Sequence, residues 1–233
     1  MTLSILVFQN DPYDGPGYLG EAFLRRGARL TTIRLDQGEA VPDITPYDIL
    51  LVMGGTMNVY AENEHPWLAP ETQAIRQAVQ ADKAVLGVCL GGQLLAKALD
   101  APVHVGAATE IGLTPITLTE AGKADPLFQG LSQIEAVEWH DDTFDIPNGA
   151  TALACSEGCA NQAFRFGQRA YGLQFHPEVS PEMLAQWIKA AGNVPIDLSP
   201  FQRAVETKVE ALQAQANRLV DNFLRAIPPR SSV

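Results

Sequence analysis

The sequence predicts an α/β fold: a doubly wound, mostly parallel sheet with helices on both faces, extra strands in the second half and a C-terminal helix. Three observations carry this. Strand-like and helix-like segments alternate through the first hundred residues, the pattern of βαβ units. The apolar run Ile49-Leu50-Leu51-Val52 does not alternate with polar residues, as in parallel strands covered on both faces. Beyond about residue 110 the chain changes to short β-type runs joined by turns.

Leu3 to Phe8 is a β-rich run closed by Gln9-Asn10-Asp11-Pro12, a strand followed by a turn. Tyr18 to Arg26 has helical spacing and ends at Gly27, a C-terminal cap. Arg29 to Leu35 and Asp48 to Met53 read as strands, the latter broken by Gly54-Gly55. Leu68 to Ala81 reads as a helix, and Ala84 to Val88 as a strand that turns sharply into helix formers from Gln93 to Leu99. Gly112–Leu118, Ile134–Trp139, Thr151–Cys155, Gln162–Phe166 and Ala170–Phe175 are short strands, added to or folded over one edge of the sheet. Pro147-Asn148-Gly149 and Phe166-Gly167-Gln168 mark turns between them. Ser180-Pro181-Glu182 opens a helix to Ala190 with Ser as N-cap and Pro at the first position. Ser199-Pro200-Phe201-Gln202 repeats the device and starts one helix to about Leu224. Its stripe Phe201, Val205, Val209, Leu212, Leu219 and Phe223 docks either on the chain's own domain or on a partner. Pro228 to Val233 reads as a frayed tail. The expected division is one domain over residues 1–195, with a flavodoxin-like sheet, and a C-terminal helix and tail over 196–233.

Composition narrows the partners. The 233 residues, 46% of them hydrophobic, suffice for one sizeable core. A net charge of −11 without a Lys/Arg cluster argues against nucleic acid and anionic membranes. Cys89, Cys155 and Cys159 form no disulfide framework and fit a reducing compartment. Cys155 and Cys159 lack a second Cys/His pair at ligand spacing, so no metal site is expected. The start, Met1-Thr2-Leu3-Ser4-Ile5, has no basic n-region, and no apolar run reaches membrane-spanning length; the expectation is a cytoplasmic protein with no membrane contact.

The chemistry centres on Gly87-Val88-Cys89-Leu90-Gly91. A nucleophile on a strand-to-helix elbow needs small neighbours two residues to either side, and glycine fills both positions, the thiol counterpart of G-x-S-x-G. The elbow exposes the sulfur at a strand's carboxyl end and against a helix amino end, which favours thiolate. The competing reading is a buried structural cysteine. A nucleophile needs a base and the base an orienting group. His176 follows an apolar strand, Pro177 forces a turn, and Glu178 stands where that turn can return its carboxylate to the imidazole. Both Cys89 and His176 fall beyond strand carboxyl ends, where parallel-sheet sites form. Oxyanion donors are available from the Leu90 N–H and from Gly54-Gly55, where glycine permits close backbone approach.

Met53-Gly54-Gly55, Gly87-Val88-Cys89-Leu90-Gly91-Gly92-Gln93 and Gly172-Leu173-Gln174-Phe175-His176-Pro177-Glu178 together resemble the class I (triad) glutamine amidotransferases, over about residues 1 to 190. Gly54-Gly55-Thr56-Met57-Asn58-Val59, His65-Pro66-Trp67-Leu68 and Glu138-Trp139-His140-Asp141-Asp142-Thr143-Phe144 look most like free-standing members related to the amidotransferase domain of GMP synthase. The resemblance implies Cys89 as the nucleophile forming a glutamyl thioester, His176 as base and acid, and Glu178 as its orienter. It implies oxyanion binding by backbone N–H groups of Gly55 or Gly54 and Leu90. It implies substrate contacts from Gln93 and from Trp139 and His140, with His140 as pocket lining, and it gives His65 and His104 no role. Thr56 stands where many relatives have Pro.

The resemblance thus implies glutamine amide hydrolysis without a cofactor, the ammonia passing to a separate synthase subunit, because nothing after residue 190 has a nucleotide-binding pattern. Two alternatives stay open: hydrolysis or transfer of γ-glutamyl amides or peptides by the same thioester, and a partner-dependent binding subunit without catalysis. The position of His176 disfavours a relative of DJ-1 or of peptidases with a similar elbow.

Overall fold

The computed structural model describes residues 2–192 and 195–227. The elements run β1 (Ser4–Gln9), α1 (Gly17–Arg25), β2 (Arg29–Arg34), β3 (Ile49–Val52), α2 (Leu68–Gln80), β4 (Ala84–Val88) and α3 (Leu90–Ala98). They continue with β5 (Val103–His104), β6 (Glu110–Leu118), α4 (Glu120–Ala124), β7 (Ile134–His140), β8 (Thr143–Phe144), β9 (Ala150–Cys155), β10 (Ala163–Phe166) and β11 (Ala170–Leu173). Three helices close the described chain: α5 (Pro181–Ala191), α6 (Ser199–Thr207) and α7 (Val209–Ala226).

Nine strands form one mixed sheet in the order β2-β1-β3-β4-β11-β10-β9-β6-β7. The first five in that order are parallel, and the rest run antiparallel to their neighbours. The doubly wound half is therefore present, and the late strands continue the sheet through β11, which pairs with β4 as a fifth parallel strand. β5 and β8 make a separate two-stranded ribbon that the sequence pattern did not reveal.

The apolar strand runs serve two layers. Ile5, Val7, Ile49, Leu51, Ala84 and Leu86 face a core shared with α1, α5, α6 and α7. Leu6, Phe8, Leu50, Val52 and Val85 face a second core with α2 and α3. Alternate residues of a strand point to opposite faces, so a strand covered on both sides must be apolar throughout.

The C-terminal stretch differs from the single helix expected. Lys208 interrupts it (φ −116°, ψ 17°), and two helices result. Ser199 is the first helical residue rather than the cap, and Asp197 Oδ1 accepts its N–H at 2.9 Å. The stripe docks on the chain's own core: Phe201, Val205, Leu212, Leu219 and Phe223 are buried there. Phe223 meets the Phe23 ring edge-on at 6.3 Å, and Arg26 pairs with Asp221 at 2.7 Å. The tail read at Pro228 to Val233 lies outside the described residues. Among the described residues no helix is long and apolar enough to cross a membrane.

Candidate active site

The elbow between β4 and α3 is as tight as its glycines suggest. Cys89 has φ +50° and ψ −110°, a conformation rarely adopted by a residue with a side chain. A Cβ on Gly87 would lie 2.3 Å from the Gly91 carbonyl oxygen, and one on Gly91 2.2 Å from that of Val52. Only hydrogen at both positions lets the chain turn this sharply. The Cys89 N–H donates to the Leu173 carbonyl of β11 at 2.8 Å, which pins the elbow to the neighbouring strand. Cys89 is 6% exposed and lines a cleft.

His176 follows β11 and is fixed by its N–H donating to the Val137 carbonyl at 2.9 Å. Its Nδ1 meets Glu178 Oε1 at 2.8 Å, both side chains being buried. Glu178 is itself held from the other side of the sheet end, since its carbonyl accepts the Tyr18 N–H at 2.8 Å. His176 Nε2 is buried with no hydrogen-bond partner of ordinary geometry. Burial works against a charged imidazole, but the Glu178 carboxylate and then the Cys89 sulfur outweigh it, so the His176 pKa stands well above its usual value. The fold thus gathers Cys89, His176 and Glu178 in one place.

The remaining residues singled out in the sequence fall around this centre. Gly55 and Leu90 approach each other: a Cβ on Gly55 would sit 2.9 Å from Leu90 Cδ2. Leu90 opens α3, where N–H groups have no intrahelical acceptor. Gly54 fills the gap between Asp14 and His176, since its Cβ would fall 3.2 Å from Asp14 Oδ2 and 3.3 Å from His176 Cε1. Gln93, Trp139 and His140 line the same cleft of about 740 Å³. Gln93 Nε2 donates to the Asp142 carbonyl at 3.3 Å and to Gln174 Oε1 at 3.2 Å. His104 lies apart, paired with Asp145 at 3.0 Å on the surface, and His65 packs on Trp67.

Three neighbours of the centre were missed in the sequence. Gln174 donates to Cys89 Sγ at 3.6 Å. It stands in the strand-end motif, but the type alone gave it no role. Trp187 on α5 meets the His176 ring edge-on, with centroids 4.8 Å apart, and carried no signal beyond an apolar helix face. Asp14 lies in the turn after β1, another strand carboxyl end, and that position was the available signal. Burial pushes its carboxyl up to about 7; His176 opposes this, while Asp11 and Glu178 add to it.

A second cysteine, histidine and glutamate converge behind the cleft wall. Glu110, His140 and Cys159 have side-chain donor atoms within 4.8 Å of one another. These are the residue types of a triad, but the setting differs. Cys159 lies in the loop after β9 and not at the start of a helix, and burial pushes its thiol pKa up. His140 Nε2 faces two carboxylates, Glu110 at 3.4 Å and Glu138 at 3.3 Å, instead of a thiol–imidazole–carboxylate chain.

Comparison with known proteins places this geometry among relatives. The family model described as glutamine amidotransferase class-I matches residues 18–190. The chain is 40% identical over 162 residues to the glutamine amidotransferase-like protein YfeJ of Salmonella typhimurium, 67% of this chain and 68% of that one. It is 32% identical over 153 residues to one of the subunits of the glutamine-hydrolyzing GMP synthase of Sulfurisphaera tokodaii, 64% of this chain and 77% of that one. A solved glutamine amidotransferase from Thermotoga maritima superposes with a TM-score of 0.88 at 27% identity, over 96% of this chain and 99% of that one.

Proposed function

The chain belongs to the class I glutamine amidotransferase family, and from that premise we propose that it hydrolyses the side-chain amide of glutamine through a thioester on Cys89. The observation that carries the proposal is the strained elbow at Cys89 beside the buried His176–Glu178 pair. In the proposed reaction Cys89 Sγ attacks the amide carbon as His176 Nε2 takes the thiol proton. The tetrahedral oxyanion forms against the N–H groups of Leu90 and of Gly55 or Gly54. One such donor is worth roughly 10²–10³ in rate in other enzymes. His176 returns the proton to the departing ammonia and leaves a thioester. It then draws a proton from water, which attacks the thioester and releases glutamate. Glu178 keeps the Nδ1–H in place and stabilises the imidazolium as it forms. Gln93, Trp139 and His140 bound the end of the cleft where the substrate's α-amino and carboxylate groups sit. The relative from GMP synthase supports a separate synthase as recipient of the ammonia.

A second reading rests on the cleft itself. Its volume of about 740 Å³ exceeds what a free amino acid fills, and among the described residues its lining includes Asp11, Asp14, Asp141 and Asp142 but no lysine or arginine. That favours γ-glutamyl amides or peptides with a larger, cationic leaving group. Ammonia or amine release from glutamine, γ-glutamyl anilide and γ-glutamyl dipeptides, with Cys89→Ala as control, separates the two. Glutamine turnover lost in Cys89→Ala supports the first; turnover of dipeptides without glutamine supports the second. Full activity in Cys89→Ala would overturn both.

A further inference from the structure

Behind the Trp139–Asp142 wall of the cleft, buried polar atoms lack partners in one small volume. Both carboxylate oxygens of Glu138 are buried and unpartnered, and so is His140 Nε2. Glu138 is 0% exposed. On the β6–β7 ladder Glu110 lies directly opposite His140, and Glu138 lies two residues before it on the same face. Cys159 reaches the same point from the loop after β9. Glu110, His140 and Cys159 thus have donor atoms within 4.8 Å of one another, Glu138 Oε2 brings a second carboxylate 3.3 Å from His140 Nε2, and no hydrogen bond of ordinary geometry satisfies His140 Nε2 or Glu138.

The surroundings are those of a prepared ligand set. His140 Nδ1 meets the Asp142 carbonyl at 3.0 Å and can only donate to it, so in the neutral ring Nε2 presents its lone pair to the cluster. Both oxygens of Glu110 are within 2.8 Å of the Ser156 hydroxyl, and Gln162 Nε2 donates to Oε2 at 2.8 Å, which orients the carboxylate. The Cys159 sulfur has the Thr143 hydroxyl at 3.1 Å. Both carboxylates stand within 3.4 Å of His140 Nε2, yet neither makes a hydrogen bond of ordinary geometry with it.

We propose that Glu110, Glu138, His140 and Cys159 bind one divalent transition-metal ion, with zinc as the best match. Imidazole, thiolate and carboxylate together suit zinc, whereas calcium and magnesium take oxygen ligands. The 3.3 and 3.4 Å separations from Nε2 to the two carboxylates are those of adjacent ligand atoms on a tetrahedral zinc with bonds of about 2.0–2.2 Å. Binding forms a Zn–S bond in place of the S–H bond, and the thiol proton leaves to solvent. Four protein ligands leave no open position, so the ion is structural. It ties β6, β7 and the loop after β9 together, and it holds the Asp142 carbonyl that also receives the Gln93 amide. The ligands come from three separate segments, which is why no cysteine or histidine spacing announced them. The site does not depend on the chemistry proposed for Cys89.

The test uses the full-length Cys89→Ala chain, so that the cleft thiol cannot compete. The metal-free protein is titrated with Co²⁺ and, separately, with Zn²⁺ under reducing conditions. One equivalent is expected to bind, giving a thiolate-to-cobalt charge-transfer band and the visible bands of a four-coordinate ion. Adding Cys159→Ser is expected to abolish the charge-transfer band. Gln162→Ala, which removes the amide that holds Glu110 Oε2 and the Ser156 hydroxyl, is expected to weaken binding about 10–100-fold. X-ray absorption on the zinc-loaded Cys89→Ala protein reads the same point without altering the site: one sulfur at about 2.3 Å is expected. Binding of no stoichiometric metal, a charge-transfer band that survives Cys159→Ser, or a sulfur-free zinc environment would overturn the proposal.

Discussion

Replacing Glu178 by Gln tests how much of the proposed base strength comes from one carboxylate. The change keeps size and an acceptor oxygen but removes a charge 2.8 Å from His176 Nδ1. At an effective dielectric of about 20, unit charges at that separation interact by roughly 6 kcal/mol, an upper figure for what the imidazolium gains. If half to all of this is felt as the proton reaches His176, acylation slows by about 10²–10⁴-fold, at about 1.36 kcal/mol per decade. The sign of the pH effect also follows. Glu178 raises the His176 pKa, so its loss lowers it, and the acid limb of kcat/KM moves to lower pH. Stopped-flow release of p-nitroaniline from γ-glutamyl p-nitroanilide, followed across pH in both proteins, measures rate and limb together. A loss under about tenfold with an unmoved acid limb would refute the role given to Glu178, because a merely structural residue would leave the limb in place.

Two further outcomes are expected. In Gly91→Ala the new methyl meets the Val52 carbonyl at 2.2 Å, backbone against backbone, so the elbow must open; chemical denaturation should show a loss of about 3 kcal/mol and turnover should fall below detection, whereas unchanged stability would contradict the packing described. Glu71 is buried with one oxygen accepting the Asn10 amide at 2.9 Å and the other unpartnered, and burial lifts its carboxyl to about 8, with the Asn10 bond pulling the other way. Its folded pKa lies above the unfolded one, so the native state holds the extra proton: stability is full below about pH 4.5 and falls as pH rises towards 8, by on the order of 5 kcal/mol in all. Glu71→Gln should flatten that fall in denaturation measured from pH 5 to 9, and an unchanged slope would contradict it.

What could be read from the sequence follows from what is local in it. The apolar run Ile49-Leu50-Leu51-Val52 declared a strand buried on both faces, because it is short, lacks alternation and is closed by Gly54-Gly55. Gly87 and Gly91 declared the elbow, since a side chain at either would strike the backbone. His176 and Glu178 are two residues apart, so one turn sufficed to pair them. Features made by distant segments were not legible. The meeting of Asp14 and Trp187 with His176 depends on how α1 and α5 pack at the sheet's end. The meeting of Glu110 with His140 and Glu138 depends on the register of β6 on β7, and that of Cys159 with them on the path of the loop after β9, neither of which a local pattern fixes. The break at Lys208 escaped because the apolar stripe keeps its spacing through it, from Val205 to Leu212.

The central claim is that Cys89, and neither of the other two thiols, is the nucleophile. Its most direct test is peptide mapping by mass spectrometry after exposure to a diazoketone analogue of glutamine, with competing glutamine as protection. The account predicts a single adduct on the peptide bearing Cys89, suppressed by glutamine and absent in Cys89→Ala. An adduct on Cys159 in place of Cys89, or full ammonia release from a protein in which Cys89 is fully alkylated, would contradict it.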